Sequence, residues 1–471
     1  MADAVAHHYP KKERRMMPST PELPTTYLAD HADEAVDLLT QLCKQPSIAA
    51  QNYGIEAMTE LTERLLAESG FQTQRLHYTS QAPDAVYGEL RGSGPYTILL
   101  YNHYDVQPAE PLELWQSAPF EPTIREGKFF ARGAVDNKGE IAARLAAIRA
   151  LRATYGELPV TLRWIIEGEE EIGSPHFEEI AEKYSELLQA DGCLWEGAGF
   201  TDDGNPSLNL GTKGLLYVQL DVQGVGIDAH SGQAPILPSA AWRLVQALAS
   251  LRTPAGQVRI PGFYAAVRPP TEEQLAAIMQ QKNKDEQLKQ AHQVENFVDG
   301  LSGVALRERV AFAPTCNIAG LNSGYTGDGV KTVLPAKAMA KIDFRLVPDQ
   351  DPHEILRQLR GYLHEQGYDD INLTVLGAAN PVVTPIDDPF VQKIRDIAET
   401  FADKPASISP IVGGSLPLLD ALKRHVGMPG LSAPGNVGYW GSGAHAPNEH
   451  IRLADLERAV RYNCYMFMAL G

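Results

Sequence analysis

The chain has no long apolar run. Its most apolar stretches, such as Ile98-Leu99-Leu100-Tyr101, last only a few residues, far short of the roughly 20 that a bilayer-spanning helix needs, so no membrane segment is expected. Cysteine is scarce as well. Cys43, Cys193, Cys316 and Cys464 are scattered and form no CxxC pair, which points to free, mostly buried thiols in a reducing compartment. Positive charge is outnumbered, with 41 Lys and Arg against 59 Asp and Glu and a net charge of −18. That balance argues against nucleic acid held through its phosphates. The beginning of the chain, Met1-Ala2-Asp3 and then His7, His8 and Lys11-Lys12, has no apolar h-region of a secretory signal. A cytoplasmic protein is the expectation, and no internal repeat is evident.

Hydrophobic residues make up 44% and charged residues 21%, the composition of an ordinary globular protein. At 471 residues the chain exceeds one ordinary core, so two domains are expected. Residues 1–25, rich in Pro, Lys and Arg, read as a loosely held arm. Helical patterns follow from about Glu34 to Cys43 and through Ile55, Met58, Leu61 and Leu65, stopped by Gly70. Strand-like runs at 71–77, 86–90, 96–101, 160–166 and 192–195 alternate with an amphipathic helix over 140–155 and another near 177–189. Such alternation predicts an α/β layer with a largely parallel sheet. From Lys213 the pattern changes. Gly214 to Gly224 and Ala338 to Val347 alternate like half-exposed antiparallel strands, accompanied by helices near 239–251 and 352–366 and a strand at 371–376. The expectation is a small α+β domain over 213–382, inserted between catalytic parts at 26–212 and 383–471. Within it Thr271 to Gly300, rich in Gln, Lys and Glu, reads as a solvated helical addition.

Four clusters carry chemistry. In Tyr101-Asn102-His103-Tyr104-Asp105-Val106 a His and an Asp two apart on an extended chain point the same way. The imidazole can bind a metal while the carboxylate holds its other ring nitrogen, although a lone HxD more often marks a structural or surface histidine. Arg132-Gly133-Ala134-Val135-Asp136-Asn137-Lys138-Gly139 puts an Asp just before a helix, either as an N-cap or as a carboxylate shared by two cations. Glu167-Gly168-Glu169-Glu170-Glu171-Ile172-Gly173-Ser174 crowds three glutamates beyond a buried strand. They repel one another unless cations neutralise them, which favours a metal site with one carboxylate left over as a base. Gly441-Ser442-Gly443-Ala444-His445-Ala446-Pro447-Asn448-Glu449 is a glycine-rich loop able to turn an imidazole inward, or simply a loop with a histidine. Positions just after strands matter because ligands gather beyond the carboxyl ends of strands in open α/β sheets.

Taken in order, these clusters resemble the M20 family of co-catalytic metallopeptidases, from about residue 30 to the end. The resemblance implies a zinc-exopeptidase-like α/β catalytic domain with a mostly parallel sheet, interrupted by a ferredoxin-like lid and dimerisation domain. It implies that His103 and Glu196 (in Cys193-Leu194-Trp195-Glu196-Gly197) bind one metal, that Glu171 and His445 bind the other, and that Asp136 bridges them. Asp105 would orient His103, and Glu170 would be the general base, leaving Glu169 spare. Asp228-Ala229-His230-Ser231-Gly232 is similar to the lid motif whose histidine reaches a partner subunit's site, so a homodimer is implied. Phe344-Arg345-Leu346-Val347-Pro348 and Gly413-Gly414-Ser415 resemble segments of the dipeptidase branch that hold the substrate's carboxylate, for which the Arg345 fork is suited. The Gly224-x-Gly226-x-x-Ala229 overlap is no dinucleotide fingerprint, since no βαβ unit follows it.

The function so implied is hydrolysis of small peptides by water activated between two divalent cations, zinc first, manganese or cobalt accepted. One departure bears on substrate. Many dipeptidases of the family carry Asp at the position of Glu196, whereas carboxypeptidase and acylase members carry Glu. An N-acyl-amino-acid deacylase using Arg345, Gly414 and Ser415 in the same way is therefore the alternative. A non-catalytic metal-binding scaffold is a further one, and it would be expected to have lost one of the six metal and base residues that this chain keeps.

Overall fold

The computed structural model describes residues 22–471. The expected arm at 1–25 falls almost wholly outside them, and a helix, Thr25–Asp30, begins at its end.

The larger sheet has eight strands in the spatial order Gln72–Leu76, Ala85–Leu90, Thr161–Glu167, Thr97–His103, Gly192–Trp195, Gly430–Ser432, Ser207–Asn209 and Ser407–Ser409. Its centre is parallel: Thr97–His103 runs alongside both Thr161–Glu167 and Gly192–Trp195, and Gly430–Ser432 alongside the latter. The Gln72–Leu76 and Ala85–Leu90 side is antiparallel. Central strands covered on both faces read as apolar runs, and successive side chains divide between two cores. Ile98 and Leu100 enter the core formed with helices Glu34–Lys44, Lys138–Tyr155 and Leu453–Ala469. Leu99 and Tyr101 enter the opposite one, with Phe177–Lys183 and Pro417–His425.

Helix Lys138–Tyr155 departs from the amphipathic expectation. Beyond Ile141, Leu145, Ile148 and Leu151 it also buries Ala142, Ala143, Ala146, Ala147 and Ala150, because small side chains let two helices close over it. Its charged Glu140 and Arg144 are buried too. The single helix expected over 177–189 is broken at Tyr184 into Phe177–Lys183 and Ser185–Leu188.

A second core lies over residues 216–371. Its four strands follow the order Asn317–Ser323, Lys337–Leu346, Gly214–Gln223 and Asn372–Ala379, all antiparallel. Alternate residues of Gly214–Gln223 and Lys337–Leu346 are buried against helices Ala240–Leu251 and Pro352–Glu365. Where the chain enters and leaves this unit, Val382 pairs with Thr212 and Val383 with Gly211. The polar stretch at 271–300 forms helices Glu272–Gln280, opened by a Thr271–Gln274 capping box, and Asp285–His292. It is less solvated than its composition suggests. Ala277 and Ile278 are buried, Gln281 Nε2 donates to Ile408 O at 2.8 Å, and Lys282 pairs with Asp203 at 2.8 Å. The segment thus covers the edge strand Ser407–Ser409, whose free backbone groups would otherwise invite pairing.

Candidate metal centre

Three adjacent parallel strands end together. His103 is the last residue of Thr97–His103, Glu196 directly follows Gly192–Trp195, and Glu170 and Glu171 form a 3-10 turn just beyond Thr161–Glu167. Asp136 arrives from the loop before Lys138–Tyr155. His445 sits between Gly430–Ser432 and His450–Arg452 at φ 61°, a left-handed conformation that few residues with side chains adopt. Gly443 beside it also has positive φ, 73°.

The side chains converge on Asp136. His103 Nε2 lies 3.0 Å from its Oδ1 and His445 Nε2 lies 3.0 Å from its Oδ2. His103 Nε2 is also 3.2 Å from Glu196 Oε2 and 3.8 Å from Glu170 Oε2, while His445 Nε2 is 3.2 Å from Glu171 Oε2. Two groups result, His103–Asp136–Glu196 and Asp136–Glu171–His445, each with one ligand atom per residue within 4.8 Å of the others.

Divalent cations fit this set. The donors are imidazole nitrogens and carboxylate oxygens, with no thiolate, a mixture that suits zinc and its neighbours. Glu196 Oε2 is buried and makes no hydrogen bond, a costly state for a carboxylate that lacks a cation. Charge crowding shows in the proton affinities. Burial pushes Glu170 up to about 7, opposed by His103 and assisted by Asp136, Glu171 and Asp105. Burial likewise drives Glu196 well above the usual carboxylate range. Burial works against charge on His103, but Glu196, Asp105, Asp136 and Glu170 outweigh it and hold the imidazole well above its ordinary value. Hydrogen bonds to Asp136 and Glu171 hold His445 up at about 10.

Asp105 does more than face His103. His103 Nδ1 is 3.1 Å from the Asp105 carbonyl oxygen and 3.3 Å from its carboxylate Oδ1. The carboxylate also accepts the backbone N–H groups of Glu170 at 3.2 Å and Glu171 at 3.0 Å, so it ties the His103 strand to the glutamate turn. Glu169 turns away, bonded to His176 Nδ1 at 2.9 Å and Tyr78 OH at 3.3 Å.

Other expected residues stand apart from this cluster. His230 is exposed on a two-residue strand paired with Val333, its Nδ1 accepting from Gly232 N at 3.0 Å. Arg345 and Ser415 do meet, Arg345 Nη1 donating to Ser415 Oγ at 2.9 Å, and Gly414 O accepts from Lys213 N at 2.9 Å.

Sequence reasoning passed over several residues here. Lys213 is buried with its Nζ on Ala313 O at 2.7 Å, and burial together with nearby Arg345 lowers it to about 8. The signal in the sequence is a lysine at the point where the pattern changes. Gln107 Nε2 donates to Glu171 Oε2 at 2.8 Å. Glu449, Glu140 and Arg144 hold the loops beneath the cluster, and nothing local marks them.

Residues 99–469 match the model of peptidase family M20/M25/M40. The chain is similar to the Beta-Ala-His dipeptidase of Homo sapiens, 30% identical over 380 residues covering 78% of this chain and 74% of that protein. It is also similar to the Cys-Gly metallodipeptidase dug1 of Schizosaccharomyces pombe, 27% identical and covering 92% and 94%. Among solved structures, the M20 family metallo-carboxypeptidase Sso-CP2 from Sulfolobus solfataricus superposes with a TM-score of 0.88 at 34% identity, covering 93% of this chain and 99% of that one. Human carnosine dipeptidase 1 superposes with 0.80 at 25% identity, covering 95% and 98%.

Proposed function

Because the chain belongs to peptidase family M20/M25/M40, we propose that it is a metal-dependent dipeptidase that cleaves small peptides bearing a free carboxylate. The observation that carries this reading is the pair of imidazole–carboxylate groups sharing Asp136, with Glu170 beside them. His103, Asp136 and Glu196 would hold one cation and Asp136, Glu171 and His445 the other, Zn²⁺ being the expected ion and Mn²⁺ or Co²⁺ acceptable substitutes. Such a pair of ions supplies an acidified water and a Lewis acid for the carbonyl oxygen. Glu170, pushed up to about 7, is matched to taking a proton from water near neutrality and returning it to the leaving amine. Asp105 would keep the His103 ring turned toward the cluster. Arg345, Ser415 and Gly414, with Lys213 alongside, would grip the substrate's terminal carboxylate.

The reading extends to a cytoplasmic homodimer in which residues 213–382 act as a ferredoxin-like lid. Ile227, Ile236, Trp242 and Val330 are 81%, 79%, 68% and 96% exposed, large apolar side chains that an association with a second copy would cover. Ile318 and Leu321 project from the unpaired edge strand Asn317–Ser323. A second copy docked through residues 213–382 would bring its His230 to the opposite site, where an N–H donor stabilises the developing oxyanion.

The two dipeptidase relatives support a dipeptide substrate over an N-acyl amino acid. A panel of dipeptides assayed beside N-acetyl and N-succinyl amino acids tests this. Dipeptides should have the highest kcat/KM, and preference for the acyl compounds would replace the proposal with a deacylase.

A further inference from the structure

Beneath the cluster lie two buried ion pairs, each bonded to the backbone of the loops that carry the cluster's side chains. The first joins Arg132 and Glu449, both 1% exposed, at 2.6 Å. The Glu449 carboxylate also accepts the N–H groups of Gly133 at 2.9 Å, Val135 at 2.8 Å and Asp136 at 3.2 Å, and its carbonyl accepts Ala131 N at 3.2 Å. One residue of the His445 loop is therefore bonded along the whole Asp136 loop. The second pair joins Arg144 to Glu140 at 2.5 Å, 3% and 1% exposed. Arg144 donates to Tyr101 O at 2.8 Å, to the Asn102 side chain and to Leu194 O at 3.4 Å. Glu140 accepts Asn137 Nδ2 at 3.3 Å, and the side chains of Asn102 and Asn137 are bonded to each other. These partners are the chain neighbours of His103, Asp136 and Glu196.

Buried ion pairs are a poor way to gain stability, since removing two charges from water costs about as much as their attraction returns. Their value lies in geometry, and here most of the remaining bonds go to ligand-bearing loops, with Arg132 Nη2 also on Pro108 O at 3.1 Å and Asn436 Nδ2 on Glu140 at 3.5 Å. We propose that the two pairs are positioning residues for separate halves of the centre. Glu449 with Arg132 sets Asp136 against His445, and Glu140 with Arg144 sets His103, Asp136 and Glu196. The inference rests on the metal reading above.

The test uses full-length protein in two backgrounds, His445→Ala to retain the His103 half and Glu196→Ala to retain the His445 half. Zn²⁺ affinity is measured by competition with a chromogenic chelator. Outer partners of metal ligands typically contribute about 10- to 100-fold in affinity. Glu140→Gln should produce a loss of that size in the His103 half, and Glu449→Gln in the His445 half. Each should weaken the other half several-fold less. Should a Gln variant fail to fold, Arg144→Lys and Arg132→Lys keep the charge but lose the planar fork, and the same crossed pattern is expected. Equal losses in both halves, or none, overturn the inference while leaving the metal reading in place. A wild-type chain that binds no Zn²⁺ removes that reading and this one with it.

Discussion

His103 Nε2 lies 3.2 Å from Glu196 Oε2, a buried oxygen that makes no hydrogen bond. A carboxylate left in that state is destabilising unless a cation completes it. The adjacent Asp136, in contrast, is bonded to two imidazoles, His103 and His445. Both arrangements gather negative charge that divalent cations would neutralise.

Glu170 should matter for turnover and not for metal. Its side chain is 3.8 Å from His103 Nε2, farther than Asp136 at 3.0 Å and Glu196 at 3.2 Å. Glu170→Ala is expected to retain its metal content while kcat falls by about 10²- to 10⁴-fold, the usual worth of a general base. Metal analysis and steady-state kinetics on one preparation check both halves of the statement, and near-normal turnover would remove Glu170 from the mechanism.

His230 should act on the partner's site. Neither His230→Ala nor Glu170→Ala chains should be active alone. Refolded together, they form heterodimers in which one site has an intact Glu170 and receives His230 from its neighbour. Activity well above either parent is expected, and mixtures that recover none contradict action across the subunits.

Arg345 should determine affinity for the free carboxylate. Hydrogen bonds to charged groups are worth about 1.5–3 kcal/mol, so Arg345→Ala should lower kcat/KM for dipeptides by roughly 10- to 100-fold. Dipeptide amides, which lack the anion, should be nearly indifferent to the change. Equal losses on both substrates would argue that Arg345 only supports the fold.

Metal binding should expel protons. His445 is held at about 10 by Asp136 and Glu171, and Glu170 at about 7 by burial. The raised histidine contributes stability to the metal-free protein that is complete below about 6.5 and fades as pH rises toward 10. A cation needs the neutral imidazole, so its affinity should climb over that same window. Zn²⁺ added to weakly buffered metal-free protein at pH 7 should release protons, and uptake or no change would contradict the arrangement.

The larger sheet was legible because its central strands are short apolar runs separated by helical periods, and the ligand types stand in compact motifs beyond those runs. Glu449 and Arg132 escaped because they meet across a separation of 317 positions, and Glu140 and Arg144 look like the polar face of an amphipathic helix although Arg144 is turned onto the strands Thr97–His103 and Gly192–Trp195. Lys213, just before the strand Gly214–Gln223, and Arg345, within Lys337–Leu346, become neighbours through the pairing of Leu215 with Arg345. The stretch at 271–300 reads as solvated from its charge, yet two apolar residues, Ala277 and Ile278, anchor it. In each case a long-range contact, invisible to local periodicity, decides the outcome.

The most direct test of the central claim is metal content, determined by mass spectrometry on protein stripped with chelator, reloaded with Zn²⁺ and passed through a desalting column. About two ions per chain are expected for the wild type and about one for His445→Ala. A wild-type chain that leaves the column with no bound zinc would contradict the account.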